Sequence, residues 1–136
     1  MDPEQQPIRS LEMKSILLVD DDRQLASALQ WILADENFLV DVAHDGDEAI
    51  IKVGANPYDI VVCDLMMPRV RGDEFYYNVV EIDPDLRRRF IFITGFATEP
   101  RISEFLMSQN LKYLVKPFPV QRLIKSVAEL LARVRR

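Results

Sequence analysis

The sequence predicts an α/β fold, a doubly wound parallel sheet covered by helices on both faces, and two observations carry that prediction. From Ser15 onward, short apolar, β-branched runs alternate five times with longer amphipathic stretches, the pattern of repeated strand–helix units. Three of the runs are almost continuously apolar, as strands are when both faces of their sheet are buried. A chain of 136 residues, 49% hydrophobic and 29% charged, is the size of one such domain and too short for two.

The elements follow in order. SILLV at 15–19 is the first strand. Leu25, Ala28, Leu29, Ile32 and Leu33 then recur at helical spacing, with Asp22 placed to cap their helix. FLVDVA at 38–43 is the second strand, followed by a helix from about Asp47 to Val53 that is expected to stop near Gly54 and Pro57. DIVVC at 59–63 is the third, and its helix runs from about Asp73 to Ile82, ended by Asp83 and Pro84. RFIFIT at 89–94 is the fourth, and Glu99 to Gln109 is its helix, with Pro100 tolerated in the first turn. KYLV at 112–115 is the fifth strand. The fifth helix begins at Pro119 and continues through Leu123, Ile124, Val127, Leu130 and Leu131 to the basic end RVRR. Arg133, Arg135 and Arg136 suit the negative end of that helix dipole, a simpler account of them than a nucleic-acid contact. Residues 1–14, polar and with two prolines, are expected to be a flexible extension ahead of a domain at 15–136.

Composition narrows the function. A net charge of -5, from 22 acidic against 17 basic residues, does not favour direct contact with nucleic acid. One cysteine, Cys63, excludes an internal disulfide and a multi-cysteine zinc site. No apolar run approaches the roughly 20 residues that span a bilayer, and the N-terminal segment has no hydrophobic signal core, so no membrane association and a cytoplasmic location are expected.

In an open parallel sheet, groups that act on ligands collect beyond the carboxyl ends of the strands, where the strand order reverses. Strand one ends in Asp20-Asp21-Asp22, strand three in Cys63-Asp64, strand four in Ile93-Thr94 and strand five in Val115-Lys116-Pro117. Taken singly, the aspartates at 20–22 read equally well as an acid-rich helix start, and Asp64 as the beginning of a turn. If strands one and three are neighbours, however, Asp20, Asp21 and Asp64 put three carboxylates in one crevice, which is unfavourable unless cations share it. Mg²⁺ meets that need because it prefers oxygen ligands, and Lys116 brings a second positive charge.

Together LLVDDD, VVCDLMMP, FITG and YLVKPF resemble the receiver domains of two-component signalling, CheY-like response regulators. The resemblance covers about 15–135, with all four motifs in order on the expected elements. It implies a flavodoxin-like (βα)5 sandwich with strand order 2-1-3-4-5. It also implies that Asp64 is the phosphoryl acceptor, and that Asp20 and Asp21, the latter foremost as direct ligand, hold Mg²⁺ together with Asp64 and the carbonyl of Met66. Lys116 and Thr94 would neutralise the phosphoryl oxygens. Thr94 would then turn toward the acyl phosphate and Tyr113 follow it inward, changing a surface made by the fourth helix, fifth strand and fifth helix, roughly residues 97–131. The Lys116–Pro117 bond would be cis. The phosphodonor would be a sensor histidine kinase or phosphotransfer protein. If the chain is complete, the output would be a downstream protein target or a homodimer on that surface.

The chain departs from the usual pattern in two places. Arg71-Gly72-Asp73 stands where relatives often have an acidic residue followed by Gly. Met66 and Phe96, each two residues past a site residue, are bulky and apolar, and are expected to restrict water near the phosphoryl group and alter its lifetime. His44 reads as an exposed loop residue, and Cys63 as a small inward-packing group. Two other functions compete. An aspartate-nucleophile phosphatase would carry a second Asp two residues after the nucleophile, where this chain has Met66, so multiple turnover and an enzyme are not expected. A receiver-like interaction module without phosphorylation would lack some site residue, and none is missing.

Overall fold

The computed structural model describes residues 13–67, 71–95 and 98–134. Strands β1 (Ser15–Val19), β2 (Leu39–Ala43), β3 (Ile60–Asp64), β4 (Phe90–Thr94) and β5 (Lys112–Val115) form one sheet in the order β2-β1-β3-β4-β5, with every pair parallel. Helices α1 (Arg23–Asp35), α2 (Gly46–Ala55), α3 (Gly72–Ile82), α4 (Pro100–Ser108) and α5 (Val120–Val134) connect or follow them. The expected doubly wound order is therefore the observed one, and β1 and β3 are neighbours at the point where it reverses.

Side chains alternate across each strand, so the sheet builds two cores. In β3, Ile60 and Val62 join α1 and α5 through Leu29, Leu33, Leu123 and Val127, while Val61 and Cys63 join α2, α3 and α4 through Ala49, Phe75, Tyr76 and Phe105. All five residues of β3 and of β4 are buried, in keeping with sequences that are apolar up to the last residue of each, Asp64 and Thr94. Tyr76 meets Phe90, Phe92 and Phe105 edge-on at centroid distances of 4.9, 6.0 and 5.6 Å, knitting α3 and α4 to β4.

Helix starts follow side-chain chemistry. Asp22, Asp45 and Glu99 each accept backbone N–H groups of the first turn that would otherwise lack partners, at Leu25, Glu48, and Arg101 with Ile102. The end of α2 differs from expectation: Gly54 lies inside the helix, which continues to Ala55. A single glycine costs a helix only about 1 kcal/mol, too little to stop it. The break comes at Asn56, extended at φ -140° and ψ 146° because it precedes Pro57.

The 3₁₀ turn Pro84–Arg88 was not expected from the sequence; Asp83 caps it and the buried Leu86 anchors it. Most of the expected N-terminal extension (residues 1–12), together with Pro68, Phe96, Arg135 and Arg136, lies outside the described residues. Among those described, no helix is long and apolar enough to cross a membrane.

Candidate functional site

The rim at the carboxyl ends of β1, β3, β4 and β5 is drawn level by the register, which pairs Val19 with Cys63, Asp64 with Ile93, and Thr94 with Val115. Just past β1, the Asp20 N–H donates to the Ala43 carbonyl at 3.0 Å. The Asp22 N–H then donates back to Asp20 Oδ1 at 2.9 Å, a local turn that leads into α1. Asp20 is only 1% exposed, and among the described residues its Oδ2 has no hydrogen-bond partner. Burial pushes its carboxyl up to about 6; Asp64 and Asp21 act in the same direction, against the Asp22 N–H and Lys116.

Asp64 closes β3 and is 5% exposed. Its Oδ1 accepts the Met66 N–H at 2.9 Å, and its Oδ2 accepts from Lys116 Nζ at 3.2 Å. The lysine reaches it from beyond β5, where its own N–H donates to the Thr94 carbonyl at 2.8 Å. The Lys116–Pro117 peptide is cis. Asp20, Asp21 and Asp64 each bring a carboxylate oxygen within 4.8 Å of the others. Such an all-oxygen donor set, with one buried oxygen short of a protein partner, fits a hard divalent cation.

The expected site residues thus divide into two groups. Asp20, Asp21, Asp64 and Lys116 converge, with Met66 beside them through its N–H. Thr94 is fully buried at the tip of β4. Tyr113 lies apart, paired in register with Phe92 and 44% exposed on edge strand β5. Met66 is 51% exposed. Cys63 is fully buried, as expected, and burial pushes its thiol well above the ordinary range, which disfavours the thiolate.

His44 corrects an expectation. It is partly buried rather than a free loop residue: its Nδ1 lies 3.3 Å from the Asp20 carbonyl, and its N–H donates to Glu48 Oε1 at 2.6 Å. Glu48 in turn gives its N–H to Asp45 Oδ1 at 2.7 Å, a reciprocal arrangement close to a capping box. The signal was present as Asp45-x-x-Glu48, just where β2 reaches the rim.

Gly72 was also undervalued. A Cβ there would come within 2.7 Å of Leu65 Cα, so the start of α3 packs directly on the segment following Asp64. Arg71, whose place in the loop differs from the usual pattern, pairs with Asp73 at 3.0 Å and Glu74 at 3.4 Å. Its charge is thus matched by acids of its own helix.

Residues 16–128 match the family described as response regulator receiver domain. The chain belongs to that family. The match fits a sheet of order 2-1-3-4-5 whose switch point carries three aspartates and a lysine. Among similar receivers, CpdR of Brucella abortus is 31% identical over 119 residues, covering 88% of this chain and 98% of that protein. The transcriptional regulatory protein CutR of Streptomyces coelicolor is 34% identical over 120 residues, and there the match covers 88% of this chain but 51% of CutR. The chain therefore spans about half the length of such longer regulators. A CheY-like receiver domain from Methanospirillum hungatei superposes with a TM-score of 0.83 at 25% identity, covering 91% of this chain and 98% of its own. The Vibrio cholerae chemotaxis protein CheY4 superposes with 0.78 at 27% identity, covering 88% and 99%. As a receiver domain of two-component response regulators, this chain belongs to a family of signalling domains.

Proposed function

We propose that this receiver domain accepts a phosphoryl group on Asp64 from a sensor histidine kinase or phosphotransfer protein and changes a protein-binding surface in response. The observation that carries the reading is the convergence of three carboxylates and one ammonium group at the switch point of the sheet. In the transfer, a carboxylate oxygen of Asp64 forms the new O–P bond as the P–N bond of a phosphohistidine breaks. The electron pair leaves with the imidazole, which ends neutral once it holds a proton.

A carboxylate is a modest nucleophile, but phosphoryl transfer asks chiefly for in-line positioning and charge neutralisation. The Met66 N–H and Lys116 Nζ hold the Asp64 carboxylate in one orientation. Lys116 keeps a positive charge beside the oxygens that become negative. Asp20, Asp21, Asp64 and the Met66 carbonyl would hold Mg²⁺, which supplies further neutralisation of the phosphoryl oxygens. Thr94, at the tip of the neighbouring strand, is assigned to the phosphoryl group as a hydroxyl partner. Tyr113, on the same face of the sheet, is assigned to relay its movement to α4, β5 and α5. Added charge acts as a switch by favouring one of two conformations already accessible to the domain. The output is then a downstream protein or a second copy bound on that surface.

Intact-mass measurement after exposure to a small phosphodonor with Mg²⁺, run beside Asp64→Ala, tests the proposal. One phosphoryl group on the parent and none on the variant is the expected result. No uptake by the parent, or equal uptake by both, would overturn it.

A further inference from the structure

At the end of the sheet opposite the acidic cluster, a groove of about 680 Å³ opens where the starts of β4 and β5 meet the 3₁₀ turn and the ends of α4 and α5. Among the described residues, Arg87, Arg88, Arg89, Lys112 and Arg133 line it, against a single carboxylate, Asp85. In a chain of net charge -5, that concentration reverses the overall balance.

Two of the cations serve the fold. Arg89 donates to the Asp59 and Val134 carbonyls, both at 3.3 Å, and so caps α5, while Lys112 pairs with Glu129 at 3.2 Å. Arg87, Arg88 and Arg133 form no ion pair among the described residues. The carbonyl ends of α4 and α5 oppose an anion, each with about half an elementary charge. Arg89 and Arg133, at the end of α5, work against that field, and the remaining guanidinium groups leave the groove positive.

We propose that this groove is a second ligand site, which binds a nucleotide. The planar guanidinium groups of Arg87, Arg88 and Arg133 match phosphate oxygens in two-pronged fashion. A site for inorganic phosphate alone would not need the rest of the lining. The side-chain amides of Gln109 and Asn110 offer donors and acceptors for a base or ribose edge, and the partly buried Leu111 and Val134 supply an apolar wall. The volume lies within the range of small-molecule sites, roughly 300–1,000 Å³. Because the groove is separated from Asp20 and Asp64 by the length of the sheet, binding here does not require the divalent ion.

Calorimetric titration of the whole chain with ATP in the presence of EDTA, with amide NMR shifts followed in parallel, tests the site. Saturable binding is expected, with shifts at Gln109, Asn110 and Lys112 rather than at Asp64. The double variant Arg87→Gln/Arg88→Gln should bind at least about tenfold more weakly, since hydrogen bonds to charged groups are lost. Both side chains are exposed, and the hydrogen bond from the Tyr76 hydroxyl goes to the backbone carbonyl of Arg87 at 3.2 Å, which the substitution keeps. Should that variant nevertheless fail to fold, Arg133→Gln gives the same reading. Absence of binding at millimolar ATP, undiminished binding by the variants, or shifts confined to the acidic cluster would overturn the proposal. So would pyrophosphate binding as tightly as ATP, which would mark an inorganic-anion site.

Discussion

Lys116 Nζ lies 3.2 Å from Asp64 Oδ2, although 52 residues separate the two in sequence and β4 stands between their strands. The ammonium group thus faces a pocket that already contains two further carboxylates. Replacing Lys116 with Ala removes the protein cation that offsets them. Phosphoryl uptake should fall roughly 10- to 100-fold, the equivalent of one charged hydrogen bond of about 1.5–3 kcal/mol. Initial rates of incorporation by intact mass measure it, and a rate within twofold of the parent would remove Lys116 from the mechanism.

Asp20 gives a pH signature. Its carboxyl is pushed from 3.8 up to about 6, chiefly by burial, so the folded state binds the proton more tightly than the unfolded chain. The resulting contribution to stability is fully present below pH 3.8 and is lost as pH rises through about 6. Above that, the metal-free fold carries a charged, buried carboxylate. Asp20→Asn should therefore raise metal-free stability at pH 7.5, by up to roughly 3 kcal/mol, and make little difference near pH 4. Thermal unfolding in EDTA at the two pH values tests this, and a gain of equal size at both would contradict it.

On the proposed function, the same group governs the binding of the divalent ion. A cation must displace the proton held by Asp20, so apparent Mg²⁺ affinity should decline below pH 6, by up to about tenfold per pH unit, with proton release on binding. Calorimetry in two buffers of different ionisation enthalpy measures that release. Affinity unchanged between pH 7 and pH 5 would place the ion elsewhere.

Gly72 is expected to tolerate no side chain. With Leu65 Cα only 2.7 Å from the position of an added Cβ, the backbone following Asp64 has to move to accept alanine. Gly72→Ala should destabilise the domain by about 1–3 kcal/mol and slow phosphoryl uptake through displacement of Met66. Urea unfolding and the mass assay report the two effects. Full stability in the variant would show that the contact yields freely.

Met66 is half exposed and its side chain contributes little to the core, so Met66→Ser should change stability by no more than about 0.5 kcal/mol. Its expected effect is on the phosphoryl group, whose hydrolysis should quicken as water gains access. The decay of phosphorylated protein followed by mass measures it; an unchanged lifetime would assign the control of water to other residues.

The fold was legible in the sequence because a sheet buried on both faces leaves uninterrupted apolar runs such as IVVC and FIFI, and parallel connections force helices between them. The acidic cluster was legible for a related reason: its members sit at strand ends, where polarity changes abruptly. Features assembled from distant segments were not. The basic groove joins residues 85–90, 109–112 and 130–134, which read alone as a turn, two strand starts and two helix ends. His44 was misjudged because its burial depends on the approach of Asp20 from the adjacent strand, and Gly54 because the helix ladder outweighs one flexible residue.

The pocket at the strand tips draws on β1, β3 and β5, so it exists only when the entire sheet is closed. A domain of this size generally loses such order all at once. On the proposed function, a damaged or half-made copy has no place to carry the phosphoryl signal, so the architecture itself would keep broken molecules silent instead of permanently switched on.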